Sequence, residues 1–228
     1  ADYCQGMGWL PPPDSFPQKY EEVPEPEQRA YFFLHEMNKI RRQYCGLELE
    51  GDRVFDRKPM VAVGWSEALE LADALTDQSG KATYDLPTEA EWEKAARGGR
   101  IQRRYPWGDA FPTDAVCQFD RDKPGIDPLR QLPANDFGLY EMSGGVWEWT
   151  QDVYDALAYS SDGAAAPPPP NPQHVLRGGS WLDCADAVRV SFRMSRESNS
   201  WRDAEWGGHR SPNIGFRLCR RKKETPSR

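Results

Sequence analysis

Residues 135–149 of this chain read NDFGLYEMSGGVWEW. This stretch joins the glycine pair Gly144–Gly145 to a segment that carries two tryptophans, Trp147 and Trp149. Glycine pairs allow tight turns with positive φ, and large aromatic side chains bury much area per residue. The stretch therefore predicts a sharp turn that leads into a short, core-forming strand, Val146–Trp149.

Upstream of this strand, residue spacing predicts three helices, over Glu27–Tyr44, over Ser66–Thr76 and from Thr88 to the glycines at 98 and 99. Ser66 is the predicted N-cap of the second helix, and Gly80 lies past its C-terminal end. Thr88 and Glu91 have the spacing of a capping box. Pro59–Val63 predicts a short extended segment.

Downstream, the pattern predicts two strands, His174–Arg177 and Gly215–Arg220. The polar segment Ser195–Ser211 between them shows neither strand nor helix periodicity. Residues 164–172 contain four consecutive prolines and predict an exposed loop that acts as a spacer. Because helices come first and short strands with long loops follow, the chain is predicted to be an α+β protein with a small antiparallel sheet.

Composition narrows the function classes. The 228 residues carry a net charge of −7, which argues against nucleic acid as the main partner because phosphate binding needs a basic face. No apolar run approaches the roughly 20 residues of a membrane helix. Five cysteines without CxxC spacing and three dispersed histidines predict no metal site. The chain starts at Ala1 and not at Met, so we expect a removed leader or a trimmed chain.

Five motifs occur in one order: LPTEAEWE with AARGG (86–93 and 95–99), YPWGD (105–109), the stretch 135–149, RGGSW (177–181) and NIGFR (213–217). Together they resemble the formylglycine-generating-enzyme (sulfatase-modifying factor) family over about Pro59 to Arg220. The resemblance implies a C-type lectin-like fold with small antiparallel sheets and much irregular loop. It also implies one domain over 1–228, with a divergent part over 1–58.

The resemblance also bears on catalysis. The family's oxidase uses a cysteine pair after Gly-Gly-Ser-aromatic, and counting from Trp181 places these cysteines at Val188 and Arg193. Neither side chain can act as a thiolate nucleophile or bind copper, and Cys184 has no partner nearby. Gly145 stands where the family's calcium site has an asparagine, so Glu148 is expected to pair with an arginine or a backbone amide. No enzyme activity, cofactor or metal is therefore expected.

The segment over 176–220 also resembles the variable proteins of diversity-generating retroelements, which display a diversified C-terminal surface on this fold. Framework residues are kept, whereas loop residues replace the asparagines of many relatives. The resemblance implies a ligand-binding surface made of Leu182, Asp183, Cys184, Ala187, Ser195, Arg196, Ser198, Ser200, Trp201, Arg202, Asp203, Trp206 and His209. Aromatic anchors beside small polar residues are typical of a paratope, although both tryptophans can equally pack beneath the loop.

From this surface we expect a protein or other macromolecular ligand, with no nucleic acid and no membrane span. A cell-surface or extracellular location is expected from the display role, and a cytoplasmic one stays open. Three alternatives also stay open. The loop residues can be ordinary substitutions in a relative with another role, the chain can be a divergent formylglycine-generating-type oxidase, or it can be an accessory domain of a larger assembly.

Overall fold

The computed structural model describes residues 58–61, 63–121, 126–159, 172–197, 211 and 213–223. Within them the helices are α1 (Trp65–Ser79) and α2 (Glu89–Arg97), and the strands are β1 (Ala82–Asp85), β2 (Trp147–Val153), β3 (Gln173–Arg177), β4 (Met194–Glu197), β5 (Ile214–Phe216) and β6 (Cys219–Lys222). The predicted α+β class is confirmed. The predicted helix over Glu27–Tyr44 lies outside the described residues.

The strands form a four-stranded sheet in the order β4-β3-β2-β5 and a two-stranded ribbon of β1 and β6. β2 pairs antiparallel with β3, and β3 pairs antiparallel with β4. β5, however, runs parallel to β2, with Trp147 opposite Ile214, so the sheet that was predicted to be antiparallel contains one parallel pair. The long connection between β4 and β5 explains the difference, because it carries the chain back to the end from which β4 started.

Both helix ends at glycine are confirmed. Gly80 follows α1 with φ of 60°, and Gly98 follows α2 with φ of 57°. The capping box of α2 is confirmed too, since Thr88 N donates to Glu91 Oε2 at 2.9 Å and Glu91 N donates to Thr88 Oγ1 at 3.2 Å.

The predicted cap of α1 is wrong, because the helix begins at Trp65 and its N-cap is Gly64. The side chain of Glu67 reaches back instead, and its Oε2 accepts from Gly64 N at 2.9 Å. The first turn is thus tied by the Glu67 carboxylate and not by a Ser66 hydroxyl.

Two strand predictions need correction. Ser195–Ser211 was expected to be irregular, but its first residues belong to β4, where Ser195 pairs with Val175. Gly215–Arg220 was expected to be one strand, but β5 and β6 lie in different sheets. β5 ends at Phe216 and β6 begins at Cys219, and between them the Arg217 guanidinium donates to Glu148.

Tryptophans form the centre of the core, as predicted. Trp92, Trp147, Trp149 and Trp181 are all almost completely buried. Trp149 Nε1 donates to Val63 O at 2.8 Å, so the segment before α1 is tied to β2. Neither described helix is long and apolar enough to cross a membrane.

His174 provides a pH-dependent contribution to stability. Its ring is buried in β3 and stacks on Trp65 with the ring centroids 3.7 Å apart. Burial lowers the pKa of His174 below the ordinary histidine value, although a backbone hydrogen bond to Gln151 acts in the opposite direction. The folded chain therefore resists protonation of this ring more than the unfolded chain does.

The unfolded state takes up the proton at a pKa of about 6.5, so the unfolding free energy is expected to fall as the pH decreases from about 7.5 to 5. Urea unfolding at several pH values measures this loss. His174→Phe keeps a stacking ring without a titrating group, and its loss over the same range should be smaller. An equal loss in both proteins would show that His174 does not cause it.

Candidate ligand-binding site

The segment after RGGSW begins at a hydrogen-bonded cluster around Asp183. Asp183 Oδ2 accepts from Trp147 Nε1 at 2.8 Å and from Ser180 N at 3.0 Å, and it also accepts from the Ser180 hydroxyl. Ser180 Oγ in turn accepts from Asn213 Nδ2 at 2.8 Å. We name Ser180, Asp183 and Asn213 the hub, because together they join RGGSW to the residue before β5.

Asp183 was expected to belong to the displayed surface, and the structure places it in the framework of the turn. Its neighbours Leu182 and Cys184 are exposed, with Leu182 at 51%. Since Leu182 N also donates to Ser180 Oγ at 3.3 Å, the hub directs the backbone that carries both exposed side chains.

Ala187 was also expected on the displayed surface, and this is wrong because it is only 8% exposed. It packs in the main core cluster with the tryptophans of β2. A Cβ at Gly179 would lie 2.9 Å from Ala187 O, so the chain at Ala187 is pressed against the RGGSW turn. That close approach leaves no room for Ala187 to reach the surface.

Ser195 and Arg196 lie apart from the hub. Both are in the edge strand β4, where Arg196 is opposite His174, which is itself opposite Val153. Trp147, the residue of β2 that contacts Asp183, lies at the other end of that strand. Ser195 Oγ bonds Gln173 Oε1 at 2.7 Å, and Arg196 is exposed. The remaining expected residues lie outside the described part: Ser198, Ser200, Trp201, Arg202, Asp203, Trp206 and His209.

Val188 and Arg193 occupy the positions assigned to the cysteine pair, and both side chains take part in packing or ion pairing within the fold. Val188 is completely buried and packs with Tyr105 and Cys117. Arg193 donates to both carboxylate oxygens of Glu89, at 2.5 and 2.8 Å, and to Asp155 O at 2.8 Å. Neither side chain is available for chemistry at the surface.

Arg193 also joins neighbouring segments. Its guanidinium lies 4.8 Å from the ring centroid of Tyr154 and 4.9 Å from that of Tyr159. Because Met194 begins β4 directly after it, Arg193 holds the start of the edge strand against α2 and the chain that follows β2. Its partners are distant in sequence, so spacing alone offered no signal for them.

We name Arg193 with its contacts to Glu89, Asp155, Tyr154 and Tyr159 the Arg193 clamp. A buried ion-pair cluster around Arg177 shares Glu89 with it. Arg177 is completely buried, and its guanidinium donates to Glu93 Oε2, to Phe192 O at 2.6 Å and to Val190 O at 2.8 Å. Glu89 Oε1 lies 3.6 Å from Arg177 Nε. Burial lowers the pKa of Arg177 below the ordinary arginine value, and the charges of Glu93 and Glu89 oppose this shift.

The expectation for Glu148 is confirmed. Its two carboxylate oxygens accept from Arg217 at 2.7 Å each, and Oε2 also accepts from Trp92 Nε1 at 2.7 Å. The carboxylate is therefore engaged with an arginine and an indole. Among the described residues, no three His, Cys, Asp or Glu side chains converge in a way that would hold a metal ion.

The described cysteines differ in the exposure of their thiols. Cys117, Cys184 and Cys219 carry free thiols, of which Cys184 alone is exposed. Burial raises the pKa of the Cys117 thiol to about 12, and its Sγ donates to Ser143 O at 3.3 Å. Burial raises the pKa of Cys219 as well. Copper(I) prefers thiolate ligands, and the described residues of this site offer Cys184 alone, so they do not fit such an ion.

The hub makes a mutational prediction. Asp183→Ala removes the acceptor of the Trp147 indole and of Ser180 N, so the unfolding free energy should fall by about 2 kcal/mol. Asp183→Asn keeps an acceptor oxygen and should recover part of that loss in urea unfolding. Leu182→Ala, an exposed neighbour, should change it by less than about 0.5 kcal/mol. A similarly small effect of Asp183→Ala would mean that the hub does not hold the turn.

The motifs and this geometry agree with a comparison against protein families. The model of the sulfatase-modifying factor enzyme 1-like domain matches residues 20–222, which is most of the chain. The chain belongs to this family. Its members differ in activity, so membership in the sulfatase-modifying factor family does not by itself decide whether the chain is an enzyme.

Two relatives show this difference. The chain is 35% identical over 177 residues to the inactive C-alpha-formylglycine-generating enzyme 2 of Bos taurus, covering 71% of this chain and 50% of that protein. It is 34% identical over 176 residues to the formylglycine-generating enzyme of Streptomyces coelicolor, covering 71% and 52%. The chain thus spans about half the length of these curated relatives.

Solved structures share the fold. PvdO from Pseudomonas aeruginosa matches 73% of this chain and 63% of its own, with a TM-score of 0.58 and 25% identity. Treponema denticola variable protein 1 matches 80% of both chains, with a TM-score of 0.58 and 20% identity. The predicted C-type lectin-like fold of the formylglycine-generating-enzyme type is therefore confirmed.

Proposed function

We propose that this chain is a non-catalytic ligand-binding domain that presents its C-terminal segment to a protein or other macromolecular ligand. A single observation carries the proposal: Cys184 is the only cysteine between Trp181 and Asn213, and it is exposed. An oxidase that works through a thiol pair in this segment needs a second thiol. Cys117 cannot supply one, because its thiol is buried and its pKa is about 12.

The surroundings of the segment support binding. The hub and the Arg193 clamp fix the chain on both sides of the 198–212 connection, at Asn213 and at the start of β4. A rigid framework lowers the entropy lost on binding, so it suits a surface that varies in sequence. In this proposal Leu182 and Cys184 contribute contacts together with the residues of the connection. Ser195 and Arg196, which lie apart from the hub, contribute a separate set of contacts from the edge strand β4.

We further propose that the segment is diversified by a retroelement and that the protein acts at the cell surface or outside the cell. The fold supports the first idea, since a protein named as a variable protein shares it. Sequencing the DNA around the gene tests it. The expected finding is a reverse transcriptase gene and a near-copy of the 3′ end that differs only at adenines. A locus without them would contradict diversification.

A second candidate is a binding or accessory domain within a larger polypeptide. The chain is 35% identical over 182 residues to serine/threonine-protein kinase pkn1 of Chlamydia caviae, and covers only 28% of that protein. A domain of this family can thus form one part of a longer protein. A fixed partner in co-purification, bound equally by natural variants of the 181–213 segment, would favour this candidate over a diversified receptor.

A further inference from the structure

A groove beside α2 has no role in the proposed binding segment. It has a volume of about 610 Å³, and its lining includes Lys94, Arg97, Arg100, Ile101, Phe137 and Tyr159. It is formed by the exposed side of α2, the loop that follows the helix and the ends of two other loops. None of the hub residues lines it.

Three apolar or aromatic side chains of the groove are exposed to solvent. Ile101 is 82% exposed, Phe137 54% and Tyr159 69%. Single exposed apolar residues are ordinary, but three around one concave surface make it a candidate interaction site. The groove therefore fits an extended segment with apolar or aromatic side chains.

The charge of the groove indicates which kind of segment could bind there. Three cations and one carboxylate, that of Glu93, line the groove. Arg97 and Arg100 are engaged with Glu93 and Asp136, whereas the exposed ammonium of Lys94 has no ion-pair partner among the described residues. An acidic segment complements this excess of positive charge.

The chain contains a segment of this chemistry. Residues 20–27 read YEEVPEPE, with four glutamates, no cation, two prolines and the apolar side chains of Tyr20 and Val23. Proline favours an extended backbone, and extended proline-containing segments bind aromatic-lined grooves.

The place where residues 1–57 join the described chain also allows Tyr20–Glu27 to reach the groove. Lys58, the first described residue, lines a second cavity of about 350 Å³ together with Gly138 and Leu139. Phe137, which lines the groove, is the residue before Gly138. Residues 28–57 can span roughly 100 Å when extended, so the distance to the groove does not limit docking.

We propose that Tyr20–Glu27 of the same chain docks in the α2 groove, with its glutamates towards Lys94 and its apolar side chains against Phe137 and Ile101. The docked arm would cover an apolar surface that otherwise faces water. This surface is separate from the hub, so the docking and the ligand-binding proposal can fail independently.

Site-specific photocrosslinking in the full chain tests the docking. Phe137 is replaced by p-benzoylphenylalanine, an equal mixture of isotope-labelled and unlabelled chains is irradiated, and crosslinked peptides are identified by mass spectrometry. The same photoreactive residue at Phe111, which is 71% exposed and outside the groove, serves as the control. The expected product joins position 137 to residues 20–27 within one chain.

Charge reversal adds a second readout. Lys94→Glu should lower the yield of this crosslink about five-fold, whereas Lys81→Glu, an exposed lysine outside the groove, should leave it unchanged. The proposal is overturned if position 137 crosslinks to residues 20–27 no better than position 111 does. It is also overturned if the product joins two different chains, or if Lys94→Glu leaves the yield unchanged.

Discussion

Gly144→Ala is expected to lower the unfolding free energy by about 3 kcal/mol or more. Gly144 has φ of 76°, a conformation that favours glycine. An added Cβ would also collide with the carbonyl oxygen of Gln118 and would lie 2.6 Å from Cys117 Sγ. The first obstacle is backbone, so it cannot be relieved by a side-chain rotation.

Gly145→Ala is the matched control for this change. Gly145 has φ of 77°, but nothing lies within 4 Å of an added Cβ. The control should therefore show only the conformational cost of about 1 to 2 kcal/mol. Urea unfolding of both variants separates the two effects. Equal losses would mean that the contact between this turn and Gln118 is not as close as the structure shows.

Arg177→Met is expected to lower the unfolding free energy by about 3 to 5 kcal/mol. The guanidinium of Arg177 is completely buried, and it satisfies Glu93 as well as the carbonyl oxygens of Phe192 and Val190. Methionine has a similar length but no donors. The variant thus leaves two carbonyl groups without their donor, and Glu93 keeps only its pair with Arg97.

Arg189→Met serves as the control for the loss of an arginine in the same region. Arg189 is 39% exposed, and its partner Asp186 is 79% exposed. Exposed pairs of this kind contribute little, so the change should stay within about 0.5 kcal/mol. Thermal or urea unfolding of both variants measures the difference. If Arg177→Met were as mild as Arg189→Met, the buried cluster would not be needed for the fold.

Features that depend on nearby residues could be predicted from the sequence. The capping box of Thr88 and Glu91 and the glycine ends at Gly80 and Gly98 are determined within one helical turn. The tryptophan core could also be predicted, because residues of that size need burial wherever the chain places them. The prediction for Glu148 succeeded for a simpler reason, since an isolated carboxylate near a core needs a cation or donor.

Features that depend on contacts between distant residues could not be predicted in this way. Asp183 looked like a loop residue, yet one of its hydrogen-bond partners is Trp147, 36 positions away. β5 and β6 looked like one strand, because nothing in Gly215–Arg220 shows that β5 pairs with β2 whereas β6 pairs with β1. Ala187 looked displayed because small residues occur at surfaces and in cores alike, and only the close packing against Gly179 distinguishes the two.

We propose that this chain is a binding domain and not a thiol-dependent oxidase, because Cys184 is the only cysteine between Trp181 and Asn213. The most direct measurement is copper(I) binding together with oxygen consumption in the presence of a cysteine-containing peptide, comparing the full chain with Cys184→Ser. We expect no tight copper(I) binding and equal, background oxygen consumption in both proteins. Tight binding and oxygen consumption that are both lost in Cys184→Ser would contradict this proposal.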